Sequence, residues 1–388
     1  MKTLRDMDLK GKKVFIRVDY NVPIENGKIT DDTRIVESFP TIEYVVKSMG
    51  KVILCSHLGR PKGKRVPEYS LRPVYEYLKS RLSVPVKFLE DINSPEADEL
   101  VSELKEGEIL LLENIRFYPG ETKNDPELAK RLAEFADVFV NDAFSVSHRA
   151  HASVVGIAEI VEEKGIGFQM EKELKYLSKI VGKPDRPFYA VIGGSKVSTK
   201  IGVLKSLLNK IDKLLIGGAM ANTFLAAKGL SVGESFVEEE YVEVAREIIK
   251  EAKEKEVKIY LPVDVVVESE DGGIRETEIR DVNEDEKIYD IGSNTIELFS
   301  LALEDAATVV WNGPLGLFEK SPFHRGTVRL AYIIASLGCT TIAGGGDTIA
   351  AIKLAGVETA FSYVSTAGGA FLEYLEGKEL PGLVALKK

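Results

Sequence analysis

At 388 residues the chain is longer than one hydrophobic core usually serves, so two domains are expected. Hydrophobic residues make up 44% and charged residues 29%, the balance of a soluble globular protein, and a net charge of -10 argues against a dedicated nucleic-acid binder. Two cysteines cannot build a disulfide framework, "MKTLRDMDLKGKK" has no signal-peptide core, and no apolar run approaches a membrane span; a cytoplasmic protein with no membrane partner is expected.

In chain order, short β-rich runs alternate with helical patterns. The first half offers "VFIRVD", "VILCSH", "ILLLEN" and "VFVNDAF". The second offers "FYAVIGG", "LLIGGA", "IYLPVDVVV", "TVVWNGP", "TTIAGGG" and "FSYVSTAGG". Nearly continuous Val, Ile and Leu is what strands buried on both faces of a parallel sheet require. Among the helical segments, "NDPELAKRLAEFA" has Asn124 or Asp125 as cap with Pro126 in the first turn, and "SNTIELFSLALEDA" has Asn294 and Glu297 at capping-box spacing. "GFQMEKELKYLSKIVGKPDRP" reads as a long amphipathic connector closing on Gly182 and Pro184, and "ESEDGGIRETEIRD" as a surface hairpin. The alternation predicts an α/β fold of βαβ units, with residues 1–168 as one lobe, 169–184 as connecting helix and hinge, and 185–370 as a second lobe.

Ligands of open parallel sheets bind beyond the carboxyl ends of the strands, and the two halves differ there. "RVDYN", "SHLGRPKG", "ENIRF" and "DAFSVSHRAH" put Arg60, Arg116, Arg149 and three of the four histidines in first-half loops. "IGGSK", "IGGA", "NGPLG", "AGGGD" and "TAGGA" put bare backbone in second-half loops. Guanidinium suits phosphate or carboxylate, and glycine loops suit phosphates held by amides. In "GGSKVSTKIGVLKSLL", Lys196 and Lys200 are four apart and are expected on one helix face near its start, where an anion would offset their repulsion; a solvated lysine pair is the alternative. In "AGGGDT", Asp347 reads either as a helix cap or as part of a phosphate cradle.

Other chemistries find no support. The sequence has no P-loop, no dinucleotide fingerprint after the first strand, no protein-kinase signature, no zinc spacing and no nucleophile elbow. His148 and His151 in "SHRAHAS" fit a basic anion pocket around Arg149 better than a metal site, with a structural role as the alternative for His151, and His324 reads as a surface residue.

The motifs "RVDYNVP", "SHLGRPKG", "LLENIRF", "NDAF", "HRAHAS", "GGSKVSTKI", "LPVD", "WNGPLGLFE", "GGGDT" and "LEGKELPG" together resemble those of the phosphoglycerate kinase family, in its order and across essentially the whole chain. The resemblance implies two Rossmann-like lobes joined by a hinge, with residues 371–388 returning to the first. That first lobe would bind 3-phosphoglycerate or 1,3-bisphosphoglycerate, and the second MgADP or MgATP, in a monomer. Carried onto matching positions, it implies an acceptor site of Asp19, Tyr20, Asn21, Arg34, His57, Leu58, Gly59, Arg60, Arg116 and Arg149. The nucleotide site would use Lys200, Gly292, Asn312, Glu319 on ribose and the loop Gly344, Gly345, Gly346, Asp347 and Thr348, with Asp347 facing Mg²⁺. Arg34, Lys196, Lys200 and the amides of Gly368 and Gly369 would stabilise the transferring group. The chain departs from the family at Ala367, where a glycine is usual, at Phe371, where a small residue is common, and in "DAFSVSHR", which lacks a glycine after Phe144. An alanine forced to φ > 0 would strain that loop.

The nucleophile in the ATP-forming direction is an ADP phosphate oxygen already ionised at neutral pH, so no general base is needed; alignment, charge stabilisation and water exclusion on closure are. Two rivals are a nicotinamide-dependent dehydrogenase, which should carry a dinucleotide fingerprint, and a non-catalytic two-lobed binder of phosphorylated metabolites.

Overall fold

In the computed structural model, which describes residues 1–388, the Val-, Ile- and Leu-rich runs form two parallel sheets, one in each of two compact units. Met1–Lys175 and Glu379–Lys388 make one unit and Tyr176–Lys378 the other. The first contains β1 (Lys2–Thr3), β2 (Lys13–Arg17), β3 (Lys51–Cys55), β4 (Val86–Leu89), β5 (Ile109–Leu112), β6 (Val138–Asn141) and β7 (Glu163–Ile166). Their order across the sheet is β1-β7-β6-β2-β3-β5-β4, all parallel. Val14, Phe15 and Ile16 of β2 are fully buried, as the apolar run requires, and each such side chain contributes about 1.5–3 kcal/mol of burial. Helix α1 (Pro126–Ala133) starts as its sequence dictates: Asp125 accepts from Leu128 N at 2.9 Å, and Pro126 takes the first position, where no N–H is needed.

The second unit contains β8 (Phe188–Ile192), β9 (Lys213–Ile216), β10 (Lys258–Tyr260), β11 (Asp264–Ser269), β12 (Ile274–Glu278), β13 (Glu286–Ile291), β14 (Thr308–Asn312), β15 (Thr340–Gly344) and β16 (Tyr363–Ser365). The parallel sheet runs β10-β9-β8-β14-β15-β16, and β12-β11-β13 form a separate antiparallel sheet containing the expected hairpin. "IYLPVDVVV" is therefore two strands in two sheets. Pro262, lacking an N–H, cannot continue a ladder and sits at the break. Strands β4, β7 and β13 escape the sequence reading because Lys and Glu interrupt their short apolar patterns.

The connector forms helix α2 (Phe168–Val181), and the unit boundary falls inside it, at Lys175/Tyr176. Its start is capped from outside the helix by Asp142, at the end of β6, which accepts from Gln169 N at 2.9 Å and Met170 N at 3.1 Å. In the second unit follow α3 (Ile201–Leu207), α4 (Ser293–Leu303), α5 (Arg325–Ser336), α6 (Gly346–Ala355) and α7 (Gly369–Leu375). The return to the first unit begins at Glu379, because α7 packs on α3 within the second. Helix α4 has no capping box of its own: buried Asp264 accepts from Asn294 N at 2.8 Å and Thr295 N at 2.7 Å, displacing the expected role of Asn294 and Glu297.

Candidate active site

In the first unit, the loops after β2, β3, β5 and β6 gather the basic residues. Asp19, after β2, holds Arg34 through a 2.8 Å ion pair, and Ser145 Oγ and Asn21 N also donate to it. Burial opposes ionisation of Asp19, but Arg34 and these hydrogen bonds outweigh it and hold the carboxyl at about 2. Asn21 Oδ1 accepts from Gly59 N at 2.8 Å, and Arg116 NH1 donates to Gly59 O at 2.8 Å, so the β2, β3 and β5 loops are fastened at one residue. Tyr20 and Leu58 are core residues: the Tyr20 ring is fully buried with its hydroxyl on Ser38, so both support the loops without offering side chains to a ligand. Arg60 is exposed, and Arg149, half-buried, donates to His148 Nε2 at 3.1 Å.

Behind these loops lies a buried layer that sequence reasoning missed. Arg17, inside "VFIRVD", is fully buried and donates to Ser153 Oγ at 2.8 Å and to Val18 O, with His57 Nδ1 at 3.3 Å. Ser153 in turn donates Oγ–H and N–H to the buried carboxylate of Glu121, which answers the Arg17 charge. Arg116 has no such answer: its Nε and NH2 are buried without a partner. Burial, reinforced by Arg17 and Arg149, pushes Arg116 down to about 10, still a cation at neutral pH. Burial also leads in holding His57 well below its usual range, Arg17, Arg116 and Arg34 outweighing Asp19, and His57 is neutral. His151, driven to about 3 by burial and by Arg17, Arg116 and Arg149, lies 3.6 Å from Glu121, and no group of three metal-ligating side chains exists anywhere in the chain. Arg116 thus presents two buried donor nitrogens without an acceptor, on fastened loops, the kind of group that suits an anion.

In the second unit, the glycine-ended strands open onto a cleft of about 520 Å³. Its walls include Gly194, Phe236, Tyr289, Leu317, Glu319 and Asp347. Some glycines serve packing: a side chain at Gly218 (φ +70°) or Gly313 (φ +94°) would collide with backbone of the β8 loop. Others face open space, Gly346 and Gly368 among them, where a side chain would meet nothing within 4 Å.

Lys200 is the residue before α3, and its Nζ donates to Asn312 Oδ1. Asn312 Nδ2 donates to Gly344 O at 2.6 Å, and Gly313 N donates to Thr348 Oγ1 at 2.7 Å, so Asn312 and Thr348 tie the β14 and β15 ends together beside the lysine. Burial pushes Lys200 down to about 8, Asp347 opposing. Asp347 is the second residue of α6, which Gly345 caps, so it is not itself the helix cap. Lys196 is exposed in the loop before α3, and the pair does not share a helix face: Gly193–Lys200 is an irregular turn and the helix begins only at Ile201. Gly292 caps α4 against Asp264 and is not on the cleft wall, where Ile291 is. Glu319 is an exposed wall residue, and Gly368 and Gly369 open α7. Phe236 and Tyr289 escape sequence reasoning because "GESFVEEE" and "EKIYDI" carry no motif; Gly218 and Leu317 lie within "IGGA" and "WNGPLGLFE", whose pattern does not single them out.

The family profile described as phosphoglycerate kinase matches residues 4–378. The chain belongs to the phosphoglycerate kinase family. It is 52% identical over 391 residues to the phosphoglycerate kinase of Fervidobacterium nodosum, covering 99% of this chain and 98% of that protein, and 52% identical to that of Thermosipho africanus, covering 99% and 97%. The solved phosphoglycerate kinase structure from Coxiella burnetii superposes with a TM-score of 0.90 at 43% identity, covering 100% of this chain and 98% of that one. That from Pyrococcus horikoshii gives 0.88 at 37%, with the same coverage. The dehydrogenase and the non-catalytic binder find no support in these likenesses. Against the family pattern, Ala367 causes no strain: the left-handed residue of its loop is Gly368 (φ +56°). The Phe371 ring, fully buried, lies against Gly344, whose missing side chain makes room for it.

Proposed function

We propose that the chain transfers a phosphoryl group reversibly between 1,3-bisphosphoglycerate and MgADP, giving 3-phosphoglycerate and MgATP, by in-line displacement. One pairing carries this reading: in one unit Arg116, a buried guanidinium with two nitrogens unpartnered, and in the other a glycine-lined cleft with a desolvated lysine, Lys200, beside it. Arg60, Arg116 and Arg149 bind the acceptor's phosphate and carboxylate, with neutral His57 and the Arg34–Asp19 pair positioning it. Glycine-loop amides and Lys200 hold the nucleotide phosphates, and Lys200, Arg34 and the amides of Gly368 and Gly369 offset charge on the moving group. Lys196, exposed, approaches the phosphates from the same turn.

Magnesium enters with the nucleotide. Asp347, a carboxylate of the cleft wall at the start of α6, would face the ion, which would offset charge on the phosphates. Because donor and acceptor belong to different units, transfer requires hinge closure around α2, which excludes water. We place the reaction in the cytoplasm and in a monomer, as the family resemblance implies; no helix of the chain is long and apolar enough to cross a membrane. A coupled assay with 3-phosphoglycerate and MgATP tests the reading: turnover must need both substrates, and nucleotide hydrolysis indifferent to 3-phosphoglycerate would refute it.

A further inference from the structure

Among the walls of the nucleotide cleft is a buried carboxylate to which the reaction assigns nothing. Asp290, on β13, is 2% exposed. Its Oδ2 accepts from Gly326 N, in the first turn of α5, at 2.7 Å, and its Oδ1 from Ile291 N at 2.9 Å. Side chains at Gly316 or Gly326 would collide with it, so the chain closes on the carboxylate from both sides. Between β14 and α5 runs the segment that brings Leu317 and Glu319 to the cleft wall. Two further bonds hold that segment: Leu315 N donates to Thr327 Oγ1 at 3.0 Å, and Leu317 N to Tyr289 O at 2.7 Å.

We propose that Asp290 is a positioning residue for the nucleotide, its carboxylate pinning the start of α5, and with it the Leu317–Glu319 wall, to the floor of the cleft. The proposal rests on the nucleotide reading of that cleft and goes beyond it. No cation pairs with Asp290. The charged groups on the surrounding elements are Glu286 and Lys287 on β13, Asp264 and Glu268 on β11, Arg275, Glu276 and Glu278 on β12, Arg325 and Arg329 on α5, and Glu319 and Lys320 on the segment; the helix Ala219–Ala227 has none. Lys320 is committed to Glu268 at 2.7 Å. Burial, with Glu276 adding and the two N–H bonds opposing, pushes the Asp290 carboxyl up to about 7. Near neutral pH the pin is thus partly protonated, and protonation sets an O–H among donors that need an acceptor.

Calorimetric titration of the full chain with MgADP between about pH 5.5 and 8.5, with 3-phosphoglycerate as control ligand, tests this in wild type, Asp290→Asn and Thr327→Val. Asparagine keeps one acceptor and turns a donor against a donor; at high pH it should weaken MgADP about tenfold and leave 3-phosphoglycerate within about twofold. The wild-type to Asp290→Asn affinity ratio should grow several-fold as pH rises, a ratio from which the nucleotide's own ionisation cancels. Thr327→Val, isosteric and uncharged, frees the companion tether; it should weaken MgADP a few-fold while keeping the wild-type pH dependence, and it carries the test if Asp290→Asn does not fold. A wild type that binds no MgADP would overturn the nucleotide reading itself. Wild-type binding matched by Asp290→Asn and Thr327→Val at every pH, or equal losses for both ligands, would overturn the role of Asp290 alone.

Discussion

Replacing Lys200 with methionine separates what the lysine costs the fold from what it gives the reaction. Burial moves its ammonium from 10.5 to about 8, a desolvation cost of about 3 kcal/mol at neutral pH. The lowered value means that the cation is disfavoured in the folded state below about pH 8, and that the penalty fades as pH rises toward 10.5. Lys200→Met removes that penalty and forfeits the charged hydrogen bond to Asn312, worth about 1.5–3 kcal/mol. The two nearly cancel, so the thermal midpoint should move by only a few degrees. The reaction has no such compensation: losing a preorganised donor to the transferring group should lower kcat by about 10²–10³-fold. In a coupled assay, wild-type kcat/KM for MgATP should fall as pH rises through about 8, as the free enzyme loses the Lys200 proton, while Lys200→Met stays flat. A variant within tenfold of wild type, or a wild-type profile flat above pH 8, would refute the reasoning.

Arg149→Ala should weaken 3-phosphoglycerate binding at least about tenfold and leave MgADP within about twofold, since a half-buried guanidinium loses an anion and not a structural carboxylate; isothermal titration with each ligand alone distinguishes this from equal losses. Asp264→Ala should lower stability by about 2–4 kcal/mol in urea unfolding, because Asn294 N, Thr295 N and Thr295 Oγ lose their acceptor at the start of α4. Burial, with Glu37, raises Asp142 to about 7 against the bonds from Thr41, Met170 N and Gln169 N. A carboxyl raised above its unfolded value gives full stability below about pH 4 and loses it as pH climbs to about 7. Asp142→Asn should therefore have a higher urea midpoint than wild type at pH 8 and match it near pH 4.5; the same difference at both pH values would exclude a charge effect.

The strands were legible because a parallel sheet buried on both faces demands unbroken apolar runs, and the loops because glycine and arginine stand at the strand ends. What sequence could not show came from partners distant along the chain. Asp264 caps a helix thirty residues on, and Asp142 caps α2 from 27 residues before it. Neither leaves a local signature, whereas Asp125, three residues from its bond, does. Arg17 reads as one charge in a β run, though burial and Glu121 make it the base of the basic loops of the first unit. Lys196 and Lys200 misled through spacing alone: four residues place side chains on one face only where a helix exists, and there the helix starts at Ile201.

The most direct test follows phosphorus itself. Phosphorus NMR of the protein with MgATP and 3-phosphoglycerate should show ATP converting to ADP as an acyl-phosphate resonance grows in equal amount, with no inorganic phosphate beyond slow decay of that product, and no change when 3-phosphoglycerate is omitted. Inorganic phosphate appearing as the primary product, or ATP consumed without the acceptor, would contradict direct transfer between the two sites.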